Sequence, residues 1–180
     1  HAILTDGVFP SHGRMAPVPH LLRFLQAPSW MVLDDSHGIG VMHPTGRGTL
    51  HAFGTATDRT IVTFSLGKGL GGAGGAIAGP APAIAAVRRR SEVYAASSAL
   101  APASAKGTLN ALHILQAEPH RVQRLHRNIK GLHRMAQSFG YPPVGTFLPV
   151  WNLNLEEEAQ ASSVSATLMR HGIFVPSSRY

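Results

Sequence analysis

The chain has 180 residues, 44% of them hydrophobic, which is enough to bury a core as one domain or as part of a larger one and argues against disorder. Its formal charge of +7, with eleven further histidines, would attract polyanions such as nucleic acid, phosphorylated cofactors or coenzyme A. The absence of cysteine excludes disulfides, thiolate metal sites and cysteine nucleophiles, and leaves the redox compartment open.

No apolar run is long enough to cross a membrane as a helix, and His1 to Asp6 lacks an initiator methionine and a charged leader. A soluble protein without a targeting signal is therefore expected, with the cytoplasm as its default location. Residues 2 to 9 read as a short strand broken by Pro10 and Gly13. Pro17-Val18-Pro19 opens a helical pattern with Leu21, Leu22, Phe24 and Leu25 as its apolar stripe, ending by Ala27-Pro28. Ser29 to Leu33 is nearly all apolar, as in a strand covered on both faces, and runs into Asp34-Asp35-Ser36-His37-Gly38. This is the pattern of a β-α-β unit with a parallel sheet.

Gly38 to Gly54 has no sustained period and predicts a long loop. Arg59 to Phe64 is the next strand, Ala76 to Ala78 a further short one, and Pro82 to Arg89 a small helix. Alanine-rich helix is predicted from about Pro102 to Gln116. A second helix, from about His120 to Phe139, carries an apolar stripe of Leu125, Ile129, Leu132 and Met135. Beyond Gly140-Tyr141-Pro142-Pro143, residues 147 to 155 alternate like a strand, 156 to 170 read as helix, and Ile173-Phe174-Val175 begins another strand. That strand pattern stops at Arg179-Tyr180, so a piece of a longer chain is expected.

Chemistry is expected where Thr63-Phe64-Ser65-Leu66-Gly67-Lys68 meets a glycine-rich run ending at Gly75. A lysine that forms a Schiff base must reach a carbonyl carbon from fixed backbone, and small neighbours admit a planar cofactor. Asp34 and His37 follow one strand and Lys68 follows the next, so parallel pairing brings all three to one sheet edge, where α/β sheets bind ligands. Aspartate can keep a pyridine nitrogen protonated, histidine can bond a ring hydroxyl, and lysine can form the covalent link; pyridoxal 5'-phosphate requires these three roles. The bland reading of Asp34 and His37 is a strand-end turn with a capping role, and that of Ser98 a helix cap. The remaining histidines, among them His43, His51, His126 and His133, lack tight metal-ligand spacing, and no metal is expected.

The collinear order of these motifs resembles the α-oxoamine synthases, a group of fold type I pyridoxal phosphate enzymes that includes 8-amino-7-oxononanoate synthase and glycine C-acetyltransferase. Asp34-Asp35-Ser36-His37-Gly38 resembles the family's acidic pair with its histidine, Gly46-Arg47-Gly48 its Gly-Arg-Gly loop, and Ser65-Leu66-Gly67-Lys68 its Thr-Leu-Gly-Lys segment. Asp6-Gly7-Val8-Phe9 with Ala16-Pro17, and Ala96-Ser97-Ser98-Ala99-Leu100-Ala101-Pro102, extend the likeness over roughly residues 3 to 135.

The resemblance implies an α/β fold, with a mainly parallel large-domain sheet, helices on both faces, and the start of a smaller α+β domain. Residues 1–100 would belong to the cofactor-binding domain, 101–139 to connecting helices and 140–180 to the small domain. It further implies Lys68 as the Schiff-base lysine, Asp34 as the pyridinium partner, His37 as donor to the ring hydroxyl and Ser65 as a phosphate ligand. Ser98 would reach the phosphate of a neighbouring subunit in a homodimer with composite sites. The implied reaction joins an amino acid to an acyl-CoA with decarboxylation, catalysed by Lys68 and His37. Transamination, an inert fragment and a basic polyanion-binding module are the alternatives, although aromatic residues are too sparse for a nucleic-acid platform. Pro10 stands where the family usually has serine, and Ser11, His12 and Arg14 alter that wall, so substrate choice does not carry over.

Overall fold

The computed structural model describes residues 1–55, 58–142, 148–153, 155 and 157–176. A four-stranded sheet carries the first half, in the order β1 (Ala2–Asp6), β4 (Trp30–Asp34), β5 (Thr60–Ser65), β6 (Gly75–Ala78). Two more strands, β2 (Val8–Phe9) and β3 (Arg14–Met15), form a small antiparallel pair. β1 pairs with β4 and β4 with β5 in parallel, as the β-α-β pattern predicts. β6 runs antiparallel to β5, because only the short lysine-bearing loop joins them and a parallel return needs a crossover of a dozen or more residues.

The crossover from β1 to β4 contains helix α1 (Val18–Arg23), with Pro19 in its first turn where the missing N–H removes no intrahelical bond. Strand alternation turns Met31 and Leu33 into one core with Ala16, Val18 and Leu25, flanked by Leu21, Leu22 and Phe53. The other face of β4, Trp30, Val32 and Asp34, is half-buried, so the strand alternates where full burial on both faces was expected. This alternation leaves Asp34 reachable at the strand's end.

The predicted long loop between Gly38 and Gly54 contains one helical turn, α2 (Thr49–Ala52). Helix α3 (Ala81–Arg90) matches its expected place, and α4 (Glu92–Ala96) is an addition, capped by Ser91 Oγ accepting from the Tyr94 amide at 3.1 Å. Pro102 opens α5 (Pro102–Ala117), and α6 (His120–Ser138) follows. The buried stripe of α6 is Val122, Ile129 and Ala136, while Met135 is exposed, so the apolar face is rotated from the expected one. In α7 (Glu158–Arg170) no residue is fully buried.

Two expected strands do not form. Residues 148–153 carry no strand, and Leu148 buries itself instead against Val8 and Met42; residue 147 and Asn154 lie outside the described residues. Ile173 to Val175 is also irregular, and the Val175 carbonyl accepts from Ser165 Oγ at 2.5 Å. Alternation specifies a strand only when a neighbouring edge supplies ladder partners, and none pairs with either segment among the described residues.

Candidate active site

The sheet register sets the site. Asp6, Asp34 and Thr63 stand side by side across β1, β4 and β5, so the ends of three strands open at one edge. The Gly7 amide donates to the Asp34 carbonyl and the Asp35 amide to the Thr63 carbonyl, each at 2.7 Å, which extends the pairing into the turns beyond the strands.

Asp34 accepts from the Ser36 amide at 2.9 Å through Oδ1 and from Thr63 Oγ1 at 3.1 Å through Oδ2. The first bond is the turn-capping role of the bland reading, and it coexists with a carboxylate at the sheet edge. Partial burial opposes ionisation of Asp34. The bonds from Ser36 and Thr63, aided by Lys68, outweigh that burial and hold its pKa below the ordinary aspartate value.

Ser36 Oγ accepts from the Ser65 amide at 3.0 Å, tying the end of β5 to the turn after β4. Ser65 Oγ accepts from the Gly67 amide at 3.1 Å, which leaves its own O–H to donate outward. Lys68 is exposed, and its Nζ lies 2.7 Å from His37 Nε2. An ammonium has no acceptor, so Lys68 donates and His37 must be unprotonated at Nε2. Burial, then the Lys68 charge, lowers the His37 pKa against the opposing pull of Asp34 and Asp6.

The lysine loop rests directly on the turn after β4. A Cβ on Gly69 would overlap the Ile39 carbonyl oxygen, so glycine is needed for this close approach. On its other side, the buried Thr108 of α5 packs against Gly72.

The structure thus brings Asp34, His37, Ser65 and Lys68 to one edge. Ser98 stays apart, exposed between α4 and α5 with no hydrogen bond to the other four among the described residues. It does not cap α5 either, whose N-cap is Ala101. Thr63 is a site contact that the motif reading passed over; its position opposite Asp34 in parallel register was the available signal. The donor set suits pyridoxal phosphate: an ionised carboxylate for a ring nitrogen, a neutral imidazole, an exposed amine and an outward hydroxyl.

Residues 1–180 match the class I and II aminotransferase family. The chain belongs to that family, which is pyridoxal phosphate-dependent. It is 35% identical over 179 residues to the 8-amino-7-oxononanoate synthase of Methylococcus capsulatus, covering 98% of this chain and 46% of that protein. A second such synthase, from Thioalkalivibrio sulfidiphilus, is 32% identical with the same coverage. The chain therefore spans about half the length of the curated relatives it matches. Among solved structures, 8-amino-7-oxononanoate synthase from Francisella tularensis superposes with a TM-score of 0.89 at 25% identity, covering 99% of this chain and 53% of the other. Serine palmitoyltransferase from S. paucimobilis, solved with a bound PLP-myriocin aldimine, gives 0.87 at 22% over 98% and 46%. The fold is that of the fold type I pyridoxal phosphate enzymes, and the resemblance to α-oxoamine synthases holds.

Proposed function

We propose that this chain is the catalytic portion of a pyridoxal phosphate-dependent acyltransferase that condenses an amino acid with an acyl-CoA and releases carbon dioxide and free coenzyme A. The observation that carries the reading is the convergence of Lys68, His37, Asp34 and Ser65 at the strand ends. The names of the relatives support the choice of reaction.

When bound, pyridoxal phosphate supplies an aldehyde for covalent attachment to an amine and an electron-poor ring that accepts a bonding pair. Lys68 would hold the cofactor aldehyde and, when its amine is free, would move protons at the substrate α-carbon as general base and acid. Asp34, kept ionised by Ser36 and Thr63, holds the proton on the ring nitrogen. His37 holds the ring hydroxyl, and Ser65 donates its O–H to the phosphate. The α-carbon, having given its proton to Lys68, would form a bond to the thioester carbonyl carbon while the C–S bond breaks with the pair leaving on sulfur. The bond from the α-carbon to its carboxylate would then break to release carbon dioxide, and a proton would return to the α-carbon.

Ser98 is proposed to donate to the phosphate of a second copy, giving a homodimer with composite sites. Its exposure and its separation from the other four residues support this placement. Residues 1–100, 101–139 and 140–180 are proposed as the cofactor-binding part, connecting helices and small-domain start. A cytoplasmic location is part of the proposal.

The test uses the full-length protein. Borohydride reduction of the loaded enzyme should fix the cofactor to Lys68, and an amino acid with an acyl-CoA should release thiol and carbon dioxide together. Fixation elsewhere sinks the site assignment. Keto acid formation without thiol release would favour transamination, the activity for which the family is named.

A further inference from the structure

The two aspartates at the end of β4, Asp34 as its last residue and Asp35 just beyond, are adjacent in sequence but differ sharply in setting. Asp35 is 1% exposed. Its Oδ2 accepts from the Thr49 amide at 2.8 Å and its Oδ1 from Thr49 Oγ1 at 2.5 Å, across fourteen positions of sequence. Backbone crowds the carboxylate on two sides, since a Cβ on Gly38 or on Gly48 would overlap its atoms. No substrate or cofactor can reach a group so enclosed.

What Asp35 touches nevertheless leads to the lysine. Its carbonyl accepts from the Gly38 and Ile39 amides at 2.9 and 3.0 Å, and the Gly40 amide donates to the Gly46 carbonyl at 2.9 Å. The turn at 38–40 and the turn at 46–49 are therefore joined twice, once through backbone and once through the Asp35 side chain. Gly69 rests without clearance on Ile39, so the backbone next to Lys68 takes its position from that joined pair of turns. His37, the partner of Lys68, lies on the same turn.

We propose that Asp35 is the positioning residue of the cofactor pocket: its carboxylate locks the 46–49 turn onto the 38–40 turn and so seats the lysine loop against His37. Burial raises its pKa, the Thr49 bonds oppose that rise, and Asp34 and His51 are the charged groups that act on it. An uncharged side chain that can still bond both the amide and the hydroxyl of Thr49 should therefore serve. Asparagine can accept from the Thr49 amide and donate to a reoriented Thr49 hydroxyl, whereas alanine can do neither.

This inference rests on the proposed cofactor, and the test separates the two. In the full-length protein without cofactor, Asp35→Ala should speed amide exchange on the order of tenfold at Gly38 and Ile39, and also at Gly71 and Gly72 of the lysine loop, which Asp35 does not touch. Amides in β1 and α6 should keep their parent rates. Pyridoxal phosphate affinity, measured well below the melting temperature, should fall on the order of tenfold in Asp35→Ala and stay within about threefold in Asp35→Asn. Thr49→Val, which leaves Asp35 in place, should reproduce the pattern if Asp35→Ala does not fold, and Thr49→Ser should restore it. Unchanged lysine-loop exchange with unchanged affinity in Asp35→Ala, or in Thr49→Val where Asp35→Ala does not fold, overturns the inference while leaving the cofactor reading intact. A parent protein that binds no pyridoxal phosphate overturns both.

Discussion

Lys68 Nζ and His37 Nε2 lie 2.7 Å apart, a hydrogen bond that only an imidazole unprotonated at Nε2 can accept. Burial and the Lys68 charge hold the His37 pKa below its ordinary 6.5, although Asp34 and Asp6 pull the other way. The unfolded chain therefore binds a proton at His37 more readily than the folded one does. This contribution to stability is complete above pH 6.5 and is lost as pH falls from there toward the lower folded value. Thermal unfolding of the cofactor-free, full-length protein should show an acid limb beginning near that pH. His37→Gln should flatten it, and an identical limb in the variant would show that another group titrates.

Asp34 gives a second prediction. Its carboxylate accepts from Thr63 Oγ1, so Thr63→Val removes one support and should weaken cofactor binding by about fivefold, the equivalent of about 1 kcal/mol. Asp34→Asn removes the charge as well and should weaken it by about 10- to 150-fold, matching about 1.5–3 kcal/mol for a hydrogen bond to a charged group. Equilibrium titration of the cofactor on each variant checks the order. Equal losses in the two variants would contradict it.

The legible part of this chain was the part whose register is fixed locally. Asp34 and Lys68 each follow an apolar strand, and parallel pairing of those strands then places them at one edge. Thr63 was missed because its neighbours in sequence are apolar and only the pairing shows it facing Asp34. Asp35 looked like the second half of an acidic motif, yet its partner Thr49 lies in a segment without periodicity that read as a plain loop. The same limit explains the two strands that failed to form near 148–153 and 173–175, since alternation specifies which face is apolar and not whether an edge is available. His126, one of the histidines without metal-ligand spacing, bonds the Val41 carbonyl at 2.7 Å, a contact between segments that no helical period could reveal.

The core under Asp34 should be the most sensitive place for stability. Leu33 is fully buried, next to Asp34 on β4 and among Ala16, Val18, Leu25 and Met31. Leu33→Ala should cost about 2–5 kcal/mol through lost burial and the cavity it leaves. Denaturant unfolding of the full-length protein measures this. Leu4→Ala, at a residue 74% exposed here, should change stability far less if that side chain stays uncovered in the whole protein.

Asn152 links a late segment to the turn that the resemblance marks as an altered wall of the pocket. Its Nδ2 donates to the carbonyls of Pro10 and Ser11 at 3.0 and 2.7 Å, while nearby Leu148 fills the space between Val8 and Met42. Together these contacts fix the turn between β2 and β3, where proline and its neighbours replace the residues expected from the motif. Asn152→Ala removes two bonds whose net worth is about 0.5–1.5 kcal/mol each, so the turn should open more often while the sheet is untouched. Hydrogen exchange should therefore quicken at His12 and Gly13, whose amides donate to the Phe9 and Pro10 carbonyls, and stay constant in β4 and β5. If the pocket wall selects substrates, KM for the amino acid or acyl donor should shift in this variant with the cofactor affinity unchanged. A change in cofactor affinity alone would instead tie the segment to the strand ends and not to the wall.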